Sequence, residues 1–402
     1  MAHRQIRLPP NIDAVSKLTA LENLGAEFAA QSGYAPELIS HWNPKPAFSS
    51  QIESWLVRSR ASVNLIDYAY PCDIPIDSAI RTRLHEPSER NILLTPSGTT
   101  SVVNACAYLK NTGTKHLIIL TPAYFTIEAV AGVFEIAASY IGVRRKPYGY
   151  ELPQEIIIKQ PRDTAVWLTL PVYGASIYFT PEDVASLIDA LPPEIIVVVD
   201  ETLAYSDRPS LLATKTTHRV IRISTPHKAL CINGEKVSFV TFPEHLSENM
   251  DAWSSCFAGG IGAAGVRALA FIADQAYDRA LTNVRALARA NLVKLQAMIH
   301  TKPYVCADKD TDGYFVMLYW PTLPASLGED KAFIAQMLAT SGALPIPSTR
   351  NRHPPECGFS FRVNLFRLDD AALGATSRLI DAIGAYVRDR FECRALTSTN
   401  SN

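Results

Sequence analysis

Hydrophobic positions in the middle of the chain form short apolar runs that alternate with segments of helical periodicity. From Asn91 onward, strands are predicted at 92–94, 116–120, 165–170, 195–199 and 220–223, with helices at 102–109, 126–134 and 181–191. Strands and helices that alternate at this length are typical of a mostly parallel sheet covered by helices on both faces. The pattern therefore predicts an α/β fold whose ligand site lies at the carboxyl ends of the strands.

Outside this region, the pattern changes to an N-terminal helical segment and a smaller C-terminal unit. Residues 11–50 hold one helical pattern and then a loop rich in Pro and Trp, which we interpret as an N-terminal arm. A helical pattern over 266–300 is long enough to bridge two domains, and strands at 313–318 and 359–365 with a helix at 371–388 follow it. These elements predict a small α+β domain at the C-terminal end, which the arm joins in space.

The chain length agrees with more than one domain. A chain of 402 residues with 48% hydrophobic and 19% charged residues suits a globular protein with more than one core. We therefore predict an arm at 1–50, a large cofactor-binding domain at 51–300, a small domain at 301–395 and a disordered tail at 396–402.

Charge and hydropathy favour small-molecule chemistry. The formal net charge is −1 and the sequence pI is about 6.8, so there is no electrostatic case for nucleic acid or an anionic membrane surface. The N-terminus leads into polar sequence without the apolar segment of a signal peptide, and no apolar run approaches about 18 residues. We expect a cytoplasmic protein with a small-molecule partner, and neither a nucleic-acid nor a membrane partner.

The cysteines give no sign of a disulfide framework or a zinc site. There are 7 of them, scattered along the chain and without a C-x-x-C pair. This usage is typical of reduced thiols in an intracellular protein, and no metal is expected.

Three motifs carry groups that suit one cofactor. Lys228 follows the strand at 220–223 in a turn that contains Thr225 and Pro226, so an amine is presented at a strand end. The strand at 195–199 ends in Asp200, and the run from Ser97 to Thr100 introduces a helix. An amine that can form a Schiff base, a carboxylate beside a pyridine nitrogen and a helix start for phosphate are what pyridoxal 5'-phosphate (PLP) requires.

The order and spacing of these motifs resemble the aspartate aminotransferase superfamily, in its class I/II aminotransferase-like branch. The resemblance covers most of the chain and implies the PLP-dependent transferase fold and a homodimer with sites built across the interface. It implies that Lys228 forms the Schiff base and is the general base, that Asp200 pairs with the pyridine nitrogen, and that Arg362 binds the substrate carboxylate. The other implied cofactor contacts are Tyr124, stacked on the ring, and the phosphate-binding residues Ser97, Gly98, Thr99, Thr225 and Lys236.

Three positions depart from the family's pattern. Tyr173 stands where the family has an asparagine against the cofactor's phenolic oxygen, and Leu203 stands where it commonly has a tyrosine, with Tyr205 displaced by two positions. Lys236 stands where the family usually has arginine, so a bidentate phosphate contact is lost. We predict that Tyr173 takes over the contact to the phenolic oxygen and that it is a catalytic residue.

The reaction stays open at this point. An aminotransferase acting on the α-carbon of an amino acid is the leading hypothesis; a specialised PLP lyase, decarboxylase, oxidase or cyclase of a biosynthetic pathway is the alternative. A PLP-binding protein without catalysis is the second alternative. The G-x-G-x-x-G run at 260–265 follows no strand, which argues against a dinucleotide site, and His227 is assigned no role.

Overall fold

A computed structural model describes residues 12–56, 78–85, 90–146, 149–153, 161, 163–205, 219–243, 253–257, 259–309 and 311–399. Its helices are α1 (Ile12–Ser32), α2 (Pro46–Leu56), α3 (Ser78–Arg83), α4 (Gly98–Asn111), α5 (Thr126–Val133), α6 (Pro181–Ala190), α7 (Pro226–Ala229), α8 (Ala263–Ala273), α9 (Ala276–His300), α10 (Lys331–Ser341) and α11 (Asp370–Thr399). Its strands are β1 (Arg90–Thr95), β2 (His116–Thr121), β3 (Ala137–Gly142), β4 (Arg144–Lys146), β5 (Gly149–Glu151), β6 (Thr164–Thr169), β7 (Ile196–Glu201), β8 (Val220–Ser224), β9 (Ser238–Pro243), β10 (Cys306–Ala307), β11 (Phe315–Trp320) and β12 (Phe359–Asn364).

A seven-stranded sheet forms the centre of the molecule, in the order β1-β9-β8-β7-β6-β2-β3. Strand β9 is antiparallel to both of its neighbours, and the other pairs are parallel. The strands β6, β7 and β8 are buried along nearly their whole length, as expected for a sheet covered on both faces. The predicted α/β fold with a mostly parallel sheet is confirmed.

Two strands of this sheet were missed by the hydrophobic pattern. Strand β3 lies at the edge and is only half-buried, so its sequence lacks the apolar run of the inner strands. Strand β9 is buried but contains Ser238 and Thr241 among its apolar residues, and Ser238 is held by hydrogen bonds to other hydroxyl groups. Polar residues that find partners inside a core do not appear in a hydrophobic pattern.

A three-stranded antiparallel sheet, in the order β10-β11-β12, lies in the C-terminal part of the chain. The segment after α1 pairs with this part: Ser40 Oγ donates to the carbonyl oxygen of Arg362 over 2.5 Å, and the backbone nitrogen of Asn364 donates to Ile39 over 2.8 Å. These contacts place the predicted arm against the predicted small domain. The limits of the domains stay a prediction, and residues 1–11 of the arm lie outside the described residues.

The helical pattern at 266–300 was predicted as one helix, and this is wrong. Helix α8 ends at Ala273 and α9 begins at Ala276. Asp274 between them has an extended backbone, and its carboxylate accepts a hydrogen bond from the nitrogen of Ala276 over 2.7 Å. A side chain that satisfies a free N–H group at a helix start competes with continuation of the preceding helix.

The C-terminal helix also differs from the expectation. Helix α11 runs to Thr399, so residues 396–399 of the tail predicted to be disordered are helical. Adding a residue to an existing helix contributes a hydrogen bond without a new nucleation cost, so a polar sequence can continue one. In the part of the chain that the structure describes, no helix is both long and apolar enough to cross a membrane.

Candidate active site

Lys228 lies in the short helix α7, directly after β8. Its carbonyl oxygen accepts from the nitrogen of Cys231 over 3.0 Å, and its nitrogen donates to the carbonyl oxygen of Thr225 over 2.9 Å. Burial lowers the pKa of the Lys228 amine to about 8; the charge of Asp200 opposes this shift, and the charge of Arg362 adds to it. No carboxylate of the described residues forms an ion pair with this amine. A partly neutral, unpaired amine therefore faces the cavity.

Asp200 lies on β7, next to the strand that leads to Lys228, and is 3% exposed. Its carboxylate accepts a hydrogen bond from the backbone nitrogen of Thr202 over 3.0 Å. Burial raises the pKa of Asp200, while the hydrogen bond from Thr202 and the charge of Lys228 act in the opposite direction. A buried carboxylate with this environment is suited to hold a cationic N–H group of a ligand.

The N-terminus of α4 forms another side of the site. Ser97 caps this helix, and its hydroxyl accepts from the nitrogen of Thr100 over 3.1 Å. A methyl group added to Gly98 would lie 3.3 Å from the Thr225 hydroxyl oxygen, so the glycine allows the helix to approach β8 closely. Free N–H groups and the positive end of the helix dipole make this a site for an anion such as phosphate.

These elements surround a cavity of about 410 Å³, within the usual size of ligand pockets. It is lined by Trp42, Asn43, Ser97, Gly98, Thr99, Val102, Tyr124, Thr169, Tyr173, Asp200, Thr202, Leu203, His227, Lys228, Asn233 and Lys236. Eight of the ten residues predicted from the sequence are in this set. The other two are Thr225 and Arg362. The Thr225 hydroxyl donates to that of Thr202 over 3.1 Å, and the guanidinium carbon of Arg362 is 4.3 Å from the ring centre of Trp42, which lines the cavity.

Arg362 lies on β12 and is 5% exposed. Its Nε donates to the carbonyl oxygen of Ser40 over 3.2 Å, and its Nη1 donates to the hydroxyl of Tyr173 over 3.5 Å. The guanidinium carbon is 4.3 Å from the ring centres of both Trp42 and Phe315. Among the described residues it has no carboxylate partner, so a buried, oriented guanidinium has donors left for a ligand.

Tyr124 and Tyr173 form the aromatic part of the cavity wall. Their ring centres are 6.2 Å apart with an interplanar angle of 26°. Burial raises the pKa of Tyr173, and the charge of Arg362 opposes this. The Tyr173 hydroxyl therefore stays protonated and can donate a hydrogen bond into the cavity. Leu203 lines the cavity, whereas Tyr205 is buried in the core, so Tyr173 is the better placed of these tyrosines.

Lys236 and His227 lie in the segment around Lys228. A methyl group added to Gly265 would lie 2.9 Å from the carbonyl oxygen of Lys236, so the glycine-rich segment packs against the backbone that carries this lysine. Nδ1 of His227 is 2.6 Å from the carbonyl oxygen and 3.1 Å from the nitrogen of Val237. Burial lowers the pKa of His227 to about 4, so it is a neutral, fixed neighbour of Lys228.

The donor set fits PLP. Gly98 and the N–H groups of the α4 N-terminus line the cavity, where they can meet a phosphate. The Thr169 hydroxyl is buried at the cavity wall and has no hydrogen-bond partner among the described residues. Asp200, Lys228 and Tyr124 offer a carboxylate, an amine and an aromatic ring to the same space. These are the groups that a charged pyridine ring with an aldehyde substituent would engage.

Sequence reasoning missed several residues of the wall, namely Trp42, Asn43, Thr169, Thr202 and Asn233. Asn233 Nδ2 donates to Asn43 Oδ1 over 3.2 Å and so ties the segment after α1 to the turn beyond Lys228. The only sequence signal for Trp42 and Asn43 was that they directly precede Pro44 in a predicted loop. Contacts between segments 190 residues apart have no periodicity that a single sequence reveals.

Comparison with solved structures identifies the architecture. A kynurenine aminotransferase from Pyrococcus horikoshii, in complex with PMP, superposes with a TM-score of 0.73 at 14% identity, over 96% of this chain and 97% of that one. This chain has the aminotransferase fold. A methionine aminotransferase from Escherichia coli, YbdL, gives a TM-score of 0.71 at 17% identity, over 90% of this chain and 96% of that one. An aspartate aminotransferase from Rhizobium meliloti gives 0.70 at 15% identity, over 95% and 98%.

Sequence comparison points to the same group of proteins over a shorter stretch. A histidinol-phosphate aminotransferase from Staphylococcus aureus is 27% identical over 174 residues, 42% of this chain and 49% of that protein. The chain thus spans about half the length of the curated relative it matches. No family model matches. The resemblance to the aspartate aminotransferase superfamily is confirmed at the level of the fold.

Proposed function

We propose that this protein is a PLP-dependent enzyme that acts on the α-carbon of an amino acid, and that it is an aminotransferase. The observation that carries the proposal is the meeting of Lys228, Asp200 and the N-terminus of α4 in one cavity. The aminotransferase fold and the partial match to a histidinol-phosphate aminotransferase support the reaction class.

Each residue has a task that its surroundings support. The Lys228 amine, with a pKa of about 8, is partly neutral near physiological pH and can accept a proton from the substrate Cα. The Asp200 carboxylate would keep a ring nitrogen protonated, and Arg362 would hold the substrate carboxylate with two parallel N–H donors. PLP, when bound, supplies the electron-withdrawing ring that stabilises negative charge at Cα.

Labelling of the lysine tests this proposal directly. Borohydride reduction of the PLP-loaded protein followed by peptide mass mapping should place a pyridoxyl group on Lys228. The Lys228→Ala variant should lose the adduct, and the matched control Lys236→Ala should keep it on Lys228 with weaker PLP binding. An adduct on another lysine, or the absence of a visible chromophore after PLP addition, would overturn the proposal.

One feature favours a specialised PLP enzyme as a second candidate. The cavity has Leu203 in its wall and Tyr173 on another side, so its phenolic-oxygen contacts would differ from those expected for the family. We propose incubation with a panel of amino acids, with and without 2-oxoglutarate, followed by product analysis. Glutamate formation indicates transamination; products formed without an amino acceptor indicate a lyase, decarboxylase, oxidase or cyclase.

We also propose that the protein acts in the cytoplasm as a homodimer. The support for a dimer is an exposed apolar group on the surface: Val133 is 70% exposed, and Phe257, 46% exposed, contacts Phe134 with ring centres 6.1 Å apart. Apolar patches of this kind often mark interfaces between chains. Light scattering of the purified protein measures the mass, and a monomer at micromolar concentration would contradict the dimer.

A further inference from the structure

Trp42 lies against both Lys228 and Arg362, the residues that the proposed function assigns to the reacting end and to the carboxylate of an amino-acid substrate. Lys228 Nζ and the guanidinium carbon of Arg362 are each 4.3 Å from the centre of its indole ring. The two cations are therefore separated by no more than twice that distance. A substrate with its amino group at Lys228 and its carboxylate at Arg362 would have to span the same space.

The Trp42 indole lies at the wall of the cavity, next to the guanidinium of Arg362. Trp42 and Lys228 line it, but Arg362 does not. The guanidinium instead contacts Trp42 and Phe315, whose rings meet edge to face at 4.9 Å. A carboxylate that enters from the cavity therefore meets the indole before it meets Arg362.

The backbone of Trp42 is held in place on two sides, so a movement is confined to the side chain. Its carbonyl oxygen accepts from Asn364 Nδ2 over 3.3 Å and from Asn233 Nδ2 over 3.5 Å. The preceding residue, His41, accepts from Asn364 Nδ2 over 2.7 Å. Rotation of an indole on a fixed backbone needs no unfolding of the arm.

We propose that Trp42 is a specificity-determining residue that an amino-acid substrate must displace to bring its carboxylate onto Arg362. This inference rests on the proposed function. The indole competes with the carboxylate for the guanidinium, because a cation–π contact holds the ring against Arg362. The apparent affinity for a substrate is then reduced, because only molecules in which the ring has moved aside can bind the carboxylate. A ligand gains affinity only through contacts that replace those of the indole.

The test uses butyrate as a probe, because it carries a carboxylate without an amino group. Equilibrium dialysis measures its binding to the PLP-loaded wild type and to Trp42→Ala, Trp42→Phe and Trp42→Ala/Arg362→Met. In the PLP-loaded protein Lys228 is joined to the cofactor, so Trp42→Ala removes the cation–π contact to Arg362. Butyrate binding should tighten by roughly 2- to 30-fold, with Trp42→Phe in between. The double variant should lose this gain.

Fluorescence supplies a second readout, which reports whether butyrate changes the surroundings of Trp42. Butyrate should change tryptophan emission in the wild type and in Trp253→Phe, the matched control, since Trp253 does not line the cavity. This change in emission should disappear in Trp42→Phe. The same variant replaces Trp42→Ala in the binding measurement if Trp42→Ala does not hold PLP.

Several results would overturn the inference. Unchanged, weaker or undetectable butyrate binding in Trp42→Ala would mean that the indole is a wall on which ligands pack. A gain that persists in the double variant would place the carboxylate elsewhere. If the pyridoxyl adduct still forms on Lys228 in these experiments, the failure concerns Trp42 alone and leaves the proposed function intact.

Discussion

Strands β7 and β8 and the turn after β8 carry two pairs of oppositely charged side chains, Glu201 with Arg222 and Asp200 with Lys228. Arg222 Nε is 2.5 Å from Glu201 Oε2, and Arg222 Nη1 donates to the carbonyl oxygen of Leu84 over 2.7 Å. Both side chains are less than 10% exposed. The second pair has no such ion contact, and its two members face a cavity.

The strand register explains why Asp200 and Glu201, which are adjacent in the chain, have different surroundings. Val199 pairs with Arg222 and Glu201 with Ser224, so Arg222 and Glu201 project from one face of the sheet. Asp200 projects from the other face, because successive side chains on a strand alternate. A buried charge needs a partner, and the pair on the first face supplies its own. Asp200 and Lys228 instead face a cavity, in which a ligand can serve as the partner. This is the physical difference between a structural ion pair and a binding site.

The largest expected effect is a difference in stability between variants of Glu201 and Asp200. Glu201→Gln breaks the buried ion pair with Arg222 and should lower the free energy of unfolding by about 3–5 kcal/mol. Asp200→Asn, the matched change one residue earlier, should change stability by less than about 1 kcal/mol and should instead abolish activity. Urea unfolding measures both variants. Equal losses of stability would remove the distinction between the two faces.

The next effect concerns Lys228 in the cofactor-free protein. Its folded pKa of about 8 lies below the ordinary 10.5, so the fold disfavours the charged amine. This cost is fully present below pH 8, where the amine is protonated in both states, and it falls as the pH rises from about 8 to 10.5. Lys228→Met should therefore stabilise the protein by roughly 2–3 kcal/mol below pH 8, and the gain should shrink above it.

Denaturation at several pH values checks this expectation. Lys236→Met is the control, since this lysine also lines the cavity but is exposed. Its stability difference from the wild type should be small and should not follow the same pH profile. A Lys228→Met difference that is constant between pH 7 and 10.5 would show that the amine is not destabilised by the fold.

The next prediction concerns Arg362, which we propose to bind the substrate carboxylate. Arg362→Lys keeps a positive charge but removes the bidentate fork, so amino-acid binding should weaken by roughly 1.5–3 kcal/mol while PLP affinity stays nearly constant. Separate titrations with PLP and with a non-reactive α-methyl amino acid measure the two affinities. Loss of PLP binding in this variant, or unchanged amino-acid binding, contradicts the assignment of the substrate carboxylate to Arg362.

The smallest expected effect is at Tyr173. Tyr173→Phe removes a hydroxyl that accepts from Arg362 over 3.5 Å and that we predict to contact the cofactor's phenolic oxygen. The pH at which the visible band of the bound cofactor changes should shift by an amount equivalent to about 0.5–1.5 kcal/mol, with little effect on folding because the ring remains. An unchanged spectral titration with unchanged turnover would show that Tyr173 serves packing.

The sequence by itself determined five of the seven strands of the central sheet and eight of the residues that line the cavity. Inner strands such as β6 and β7 are continuous apolar runs because both of their faces are buried, and this is a local property of the sequence. Asp200 and Lys228 were found because each follows an apolar strand and because their order and spacing resemble the aspartate aminotransferase superfamily. Residues placed by a local pattern and by the order of motifs need no knowledge of distant contacts.

The tertiary structure alone decided the antiparallel placement of β9, the pairing of Arg222 with Glu201, and the contact of Trp42 with both Lys228 and Arg362. Each depends on contacts between segments far apart in the chain: Trp42 is held by Asn233 and Asn364, and Arg362 by Ser40. Such contacts are selected by packing and by the satisfaction of buried polar groups, and neither leaves a periodic signal in one sequence. The substrate side of this site is therefore the part that a single sequence describes least.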